Sequence, residues 1–273
     1  MLPYGNKDLL FSLIDYIRRL RLLTEKPKSY MLSLIRLPFA AITLLLSSAS
    51  VTGGLHERGH SVGTTISSPA DKNTSAAIIE KYNYWQLEKE GISIDLFSYA
   101  MKGYEYLDNA KKLLNNSFLT IVDFSKPSSQ KRLFVINTET GNVVFKTLVA
   151  HGRNSGKEYA NAFSNSTSSF ESSLGFYITD DTYKGKNGYS LRLIGCERGF
   201  NDNAYKRAIV VHGAEYVSES FIEQNGFLGR SHGCPAIPEA LSKKIIDVIK
   251  DGSCLFIYSP SKKYLSLSAI INS

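Results

Sequence analysis

Two short stretches of this 273-residue chain bring together the residue types that catalysis by a thiol requires. They are residues 209–214 (IVVHGA) and residues 229–236 (GRSHGCPA). A cysteine nucleophile needs a base that raises its thiolate fraction and amide donors directed at the developing oxyanion. His212 ends an apolar strand pattern at a glycine, where loops gather at the rim of a sheet. We therefore predict that Cys234 is the nucleophile and His212 its base.

The residues before Cys234 are predicted to shape its loop. Gly233 lets the backbone approach a substrate carbonyl, so the amides of Gly233 and Cys234 are the expected oxyanion donors. In an extended chain His232 and Cys234 project from one face with Cα atoms about 6.5–7 Å apart. That separation suits His232, together with Ser231, to a supporting role rather than to accepting the proton.

Other interpretations of these residues remain open at this stage. A histidine at the end of a strand is commonly a structural group, and His151, which also ends a strand at a glycine, is a second candidate base. A metal site formed by His212, His232 and Cys234 lacks an evident fourth ligand. We therefore predict no metal and no other cofactor.

The sequence HGA at 212–214 followed by SHGC at 231–234 resembles the active-site signature of the YkuD-type L,D-transpeptidases, which are cysteine enzymes of bacterial peptidoglycan. The resemblance covers roughly residues 117–260. The NDNA and GRS-x-GCPA stretches at 201–204 and 229–236 match the branch of murein L,D-transpeptidase catalytic-domain proteins. The fold that this resemblance implies is a β-sandwich catalytic domain.

The resemblance also implies a reaction on peptidoglycan stem peptides. Cys234 would attack the carbonyl between the L-centre of diaminopimelate and the terminal D-Ala, with the other nitrogen of His212 held by the Gly213 carbonyl. Transfer to a neighbouring diaminopimelate amine gives a 3→3 cross-link, and transfer to water gives carboxypeptidase activity. A non-catalytic wall-binding module is the alternative from another class, and the intact Cys234–His212 pair argues against it.

One position departs from the family pattern, which carries Arg two residues after the cysteine where this chain has Ala236. A planar guanidinium suits an anionic substrate group, and Arg230, Arg207 or Arg153 are the candidates to replace it. We expect Ala236→Arg to be tolerated structurally.

Residues 183–189 form either a mobile lid over the cleft or a polar hairpin loop. Tyr183 and Tyr189, one at each end of this segment, are further candidates for substrate binding.

The elements that position these residues are mostly strands, with helical additions. Helical spacing over residues 75–114 predicts a helix capped by Asn73–Thr74 and ended by Gly91, then a second helix. A later helix is predicted from Pro238 to about Lys250. The predicted strands are 119–124, 132–138, 142–151, 174–179, 189–195, 208–213 and 253–259.

The charge distribution points away from nucleic acid. Residues 1–38 hold seven basic and three acidic residues and so carry +4 of the net charge of +7, which leaves an ordinary surface for the remainder. This basic stretch, the apolar residues 37–46 and the small residues 47–50 form the pattern of a secretory signal peptide. Met31 is an alternative start of translation. The one predicted contact with a membrane is through this signal segment, if it is not cleaved.

The predicted organisation therefore has four parts, and the mature protein is expected in the periplasm or cell envelope of a bacterium. The parts are an export segment (1–50), a linker (51–73), a helical cap segment (74–116) and a catalytic domain (117–262).

Overall fold

The computed structural model describes residues 69–273. The predicted export segment and the linker up to residue 68 lie outside the described residues. Within residues 69–273 we find no helix that is both long and apolar enough to cross a membrane.

Two helices precede the sheet. They are α1 (Pro69–Tyr84) and α2 (Ile94–Asn109), with a 3-10 turn (Leu87–Glu90) between them. The helix α1 begins ahead of Asn73, so the predicted Asn73–Thr74 cap was wrong, and five residues of the predicted linker are helical. Gly91, with φ of 78°, ends the 3-10 turn rather than a helix.

The helix α2 packs on the sheet through a stripe of buried side chains at helical spacing. Ser93 caps its start, because its hydroxyl accepts a hydrogen bond from the Leu96 amide at 3.3 Å. The buried residues are Leu96, Phe97, Ala100, Met101, Gly103, Tyr104 and Leu107. At Gly103 a β-carbon would lie 2.1 Å from the Phe176 ring, so this glycine sets how closely the helix approaches the sheet.

Eight strands follow, and seven of them fall where period and turn residues predict. They are β1 (Phe118–Asp123), β2 (Leu133–Asn137), β3 (Val143–Thr147), β4 (Gly175–Gly185), β5 (Gly188–Gly195), β6 (Val210–Ala214), β7 (Ala236–Pro238) and β8 (Cys254–Tyr258). Three helices are interspersed with or follow them: α3 (Glu219–Asn225), α4 (Glu239–Ile249) and α5 (Lys262–Leu267). We did not predict the strand β7 and the helices α3 and α5. These elements are too short for a repeating pattern of apolar residues to be recognised in the sequence.

All eight strands belong to one sheet with the order β3-β2-β1-β8-β4-β5-β6-β7. Its two edges meet, because the chain leaving β3 pairs with β7 through Ala150 and Ala236 and with Ser231 through Gly152. The predicted sandwich thus takes the form of one sheet curled on itself. The prediction of a mostly β fold with helical additions is confirmed.

The helix α4 packs closely on the strand that carries His212. A β-carbon on Gly213 would lie 2.8 Å from the Ser242 hydroxyl and 3.1 Å from the Glu239 Cα. The glycine after His212 therefore lets α4 approach β6, in addition to presenting its carbonyl.

Candidate active site

His212 lies in the middle of β6 and is almost completely buried. Its Nδ1 is 2.9 Å from the Gly213 carbonyl oxygen. Because a carbonyl only accepts, Nδ1 carries the proton and Nε2 presents a lone pair. Burial lowers the pKa of His212, and the bond with Gly213 partly offsets that effect. The ring is therefore neutral near pH 7, as a proton acceptor must be.

The pairing of β6 with β7 brings the loop that carries Cys234 next to the strand that carries His212. These strands run parallel with His212 opposite Ala236, and Cys234 lies two residues before Ala236. The half-buried thiol donates to the Ala208 carbonyl at 3.6 Å. Burial raises the pKa of Cys234, while the Val210 backbone and the Arg207 charge lower it.

The loop that carries Cys234 is organised by the Ser231 side chain. Its hydroxyl donates to the Cys234 carbonyl at 2.6 Å and accepts from the Gly233 amide at 3.0 Å. The Gly233 amide is thus engaged within the loop, contrary to its predicted availability for an oxyanion. The Cys234 amide has no hydrogen-bond partner among residues 69–273.

Gly233 has a φ of 119°, in a region that residues with a β-carbon rarely adopt. A β-carbon there would also lie 2.7 Å from the Glu171 carbonyl oxygen. The close approach to Glu171 shows that the Cys234 loop lies directly against the segment of residues 164–173.

Ser172 joins the two loops on either side of the site, and the sequence analysis did not identify it. Its hydroxyl accepts from the Gly152 amide at 3.0 Å and donates to the Gly233 carbonyl at 3.3 Å. Ser173 beside it is equally buried, and the sequence does not show which of the two contacts the Cys234 loop.

His151, the alternative base, is fully buried, and both of its ring nitrogens are engaged. Nδ1 lies 2.8 Å from an Arg132 guanidinium nitrogen, which only donates, so Nδ1 accepts. Nε2 carries the proton and lies 3.3 Å from the Gly156 carbonyl. Burial and the Arg132 charge lower the pKa of His151 to about 4. We therefore assign His151 a structural role.

The three candidate arginines differ in what their guanidinium groups contact. Arg207 donates to Ser164, Ser169, Glu171 and Ser173, which occupies both terminal nitrogens. The Arg207 side chain therefore stabilises the 164–173 segment and is not a free hydrogen-bond donor.

Arg230 donates to the Gly156 carbonyl at 3.2 Å and lies over the Phe227 ring. Arg153 lies over the Phe170 ring, which also contacts the exposed His232.

The structure does not bring the predicted tyrosines to the Cys234 loop. Residues 183–189 span the end of the β4–β5 hairpin, and Arg192 lies over the Tyr183 ring. Tyr189 donates to Asp247 of α4 at 2.8 Å. Because Ser190 pairs with His212, the neighbouring Tyr189 points to the opposite face of the sheet.

No group of three or more His, Cys, Asp or Glu side chains within residues 69–273 is placed to hold a metal ion. A cysteine on a glycine-containing loop, and a neutral, carbonyl-anchored histidine on the strand that pairs with the end of that loop, are the residue types that enzymes with a cysteine nucleophile require.

Comparison with known families makes the assignment more specific. Residues 88–258 match the model of the L,D-transpeptidase catalytic domain, which covers more than half of the chain. The protein therefore belongs to the L,D-transpeptidase catalytic domain family. The resemblance to YkuD-type enzymes is confirmed, and the GRS-x-GCPA branch stays a prediction. No curated protein matches the chain in sequence.

Solved structures with a similar fold include an L,D-transpeptidase from Mycobacterium smegmatis, at 13% identity and a TM-score of 0.33, covering 52% of this chain and 59% of that one. Another is an L,D-transpeptidase from Stackebrandtia nassauensis, at 17% identity and a TM-score of 0.33, covering 70% and 80%. This chain thus spans about three fifths of the mycobacterial protein. Because both TM-scores are low, the assignment to the family rests on the family match and not on these structures.

Proposed function

We propose that this protein is a peptidoglycan L,D-transpeptidase whose acyl-enzyme forms on Cys234. Its family supports the reaction class, and the β6–β7 pairing supports the roles of Cys234 and His212. The observation that carries the mechanism is the hydrogen bond from His212 Nδ1 to the Gly213 carbonyl, because it leaves Nε2 as the proton acceptor.

The proposed reaction begins from a neutral thiol and a neutral imidazole. Burial raises the pKa of Cys234 and lowers that of His212, so neither shift favours a resting ion pair. The proton therefore moves to His212 Nε2 as the sulfur attacks the carbonyl carbon. The Cys234 amide is the proposed oxyanion donor, because no other group in the described chain uses it.

The peptide bond to the terminal D-Ala then breaks, and the proton passes from His212 to the departing amine. The remaining acyl group stays on Cys234 as a thioester. Attack by the side-chain amine of a second diaminopimelate, with His212 again accepting a proton, releases the sulfur and forms the 3→3 cross-link. Attack by water instead releases a tripeptide, which is the second candidate activity at the same site.

The test is mass spectrometry of the products after the full chain is incubated with purified disaccharide-tetrapeptides. We expect cross-linked dimers that have lost one terminal D-Ala. The Cys234→Ala variant should form none, and Cys196→Ala, which removes another half-buried thiol, should match the wild type. Tripeptides without dimers would change the assignment to a hydrolase. Unchanged substrate would contradict catalysis and favour the wall-binding alternative.

Export is part of the proposal, because peptidoglycan lies outside the bacterial cytoplasmic membrane. Its support is the basic, apolar and small-residue pattern of residues 1–50. Fractionation of cells that express the full chain or residues 51–273 tests it. The full chain should reach the envelope while the shortened chain stays in the cytoplasm, and an identical distribution of both would contradict it.

A further inference from the structure

An exposed arginine beside the Cys234 loop has an unusually well-defined position. The Arg153 amide donates to the Ser231 carbonyl at 2.8 Å, which attaches this residue to the loop of the nucleophile. Its guanidinium carbon lies 4.1 Å from the centre of the Phe170 ring. The same ring lies 4.6 Å from the His232 imidazole. The Arg153–Phe170–His232 cluster is therefore attached to the loop that carries Cys234.

The guanidinium of Arg153 is held by stacking alone. It donates to no acceptor among residues 69–273, whereas Arg207 and Arg230 both donate to carbonyl groups. Stacking restricts the side chain without using its N–H groups. The planar fork is thus already oriented and open to an external acceptor.

The backbone that presents Phe170 is strained. Phe170 has a φ of 57° and Ser168 a φ of 58°, in the left-handed region that bulky residues rarely adopt. Asn154 holds this conformation, since its amide donates to the Phe170 carbonyl at 3.2 Å and its side chain to the Ser169 carbonyl at 2.7 Å. Strain at a bulky aromatic residue beside a nucleophile indicates that the position of the ring matters.

We propose that Arg153, oriented by Phe170, recognises a carboxylate of the acyl-donor peptide. A guanidinium fork binds a carboxylate through two parallel hydrogen bonds, and its orientation before binding reduces the entropy lost. The buried Ala236 cannot supply this charge. The identity of the peptide rests on the proposed function, whereas the anion preference of the site does not.

The first test measures that preference without any transpeptidase assay. Cys234 of the full chain is alkylated with iodoacetate, an anion, or with neutral iodoacetamide, and the modified residue is identified by mass spectrometry. The rate ratio of iodoacetate to iodoacetamide should fall about fivefold in Arg153→Gln, the size expected for an exposed charge pair. Lys157→Gln is the matched control, because Lys157 is an exposed cation over the Phe227 ring, and its ratio should not change. An equal ratio in wild type and Arg153→Gln would overturn the proposal.

The second test uses tetrapeptide substrates in which either the diaminopimelate or the D-Ala carboxylate is converted to an amide. Arg153→Gln should raise KM about tenfold for the free acid, the loss of one charge-assisted contact, and leave kcat largely unchanged. For one of the two amidated substrates, the wild type and Arg153→Gln should have the same KM, because the carboxylate that Arg153 binds is then absent. Arg153→Lys, which keeps the charge without the fork, should recover part of the loss. If KM were the same for acid and amides in the wild type, carboxylate recognition would be wrong even though transpeptidation itself stood.

Discussion

The two histidines that end a strand at a glycine show how environment assigns roles to one residue type. In the sequence His151 and His212 have the same local pattern. The tertiary structure places Arg132 against Nδ1 of His151, which makes that nitrogen an acceptor, while a carbonyl makes Nδ1 of His212 a donor. Only His212 keeps a nitrogen lone pair that no protein donor occupies.

Replacing His212 should therefore remove general-base catalysis. We expect His212→Ala to lower kcat/KM for cross-link formation by about 10²–10⁴-fold. His232→Gln is the contrast, because His232 is exposed and contacts Phe170 rather than the thiol, and its loss should be much smaller. Near-wild-type turnover in His212→Ala would refute its assignment as the base.

The pH dependence should report the same group. Burial lowers the pKa of His212 from its ordinary value of 6.5, so the imidazole loses its proton below that pH. We expect kcat/KM to rise with pH and to reach its plateau before neutrality.

Alkylation of Cys234 by iodoacetamide should have its midpoint above pH 9, because burial raises the pKa of that thiol. An alkylation midpoint well below 9 would instead indicate a resting ion pair.

At the scale of elements, a strand of three residues decides where the nucleophile lies. Between its two neighbours, the Ala236 backbone pairs with His212 on one side and with Ala150 on the other. Its side chain is fully buried. This burial argues against the expectation that an arginine would be tolerated at this position.

We expect Ala236→Arg to lower the free energy of unfolding by at least about 3 kcal/mol, since it introduces both excess volume and an unpaired buried charge. Ala77→Arg, on an exposed part of α1, is the matched control and should change stability little. Chemical denaturation measures both. Equal stabilities would mean that β7 can move away from its neighbours at no cost.

The C-terminal helix α5 is attached to the sheet through one buried carboxyl group. Glu197 accepts hydrogen bonds from the Tyr264 hydroxyl at 2.8 Å, from the Ser268 hydroxyl and from the Phe176 amide. Tyr264→Phe removes one donor and should lower stability by about 1–3 kcal/mol. Tyr205→Phe, at an exposed tyrosine, should have no measurable effect in the same denaturation experiment.

At the scale of the whole molecule, closure of the sheet assembles the site. The segment that leaves β3 crosses to the opposite edge and pairs with both Ser231 and Ala236. Arg132, fully buried, supports this crossing by donating to the Val149 carbonyl and to His151. The nucleophile loop thus depends on residues about eighty positions earlier in the chain.

The buried pair of Arg132 and His151 should make the stability of the protein depend on pH. Folded His151 binds a proton only near pH 4, whereas the unfolded chain binds it near 6.5. The unfolded state therefore takes up the proton first as pH falls, and stability is lost between about pH 6.5 and pH 4. The contribution is about 3 kcal/mol, fully present at neutral pH.

The variant His151→Asn provides the comparison, because asparagine can accept from Arg132 and does not titrate. The stability difference between wild type and variant should shrink by about that amount between pH 7 and pH 4. A difference that stays constant with pH would show that His151 is protonated in the folded protein.

The sequence by itself determined most of the elements and predicted the nucleophile–base pair. Short runs of β-branched and aromatic residues bounded by turn residues specify β1 to β6 and β8, because both signals lie within a few residues of each strand. The pattern of a strand ending at His212 and the SHGC stretch predicted Cys234 and His212 as the reacting residues, because both patterns are local in the sequence.

The tertiary structure alone decided what depends on contacts distant in sequence. It closed the sheet through β7, engaged the Gly233 amide with Ser231, and placed Tyr189 on the face away from His212. It also gave three arginines different surroundings. Arg207 stabilises the 164–173 segment, Arg230 donates to a carbonyl group, and the guanidinium of Arg153 is stacked on a ring. The role of a polar side chain depends on which partners the fold brings to it, and local sequence does not contain those partners.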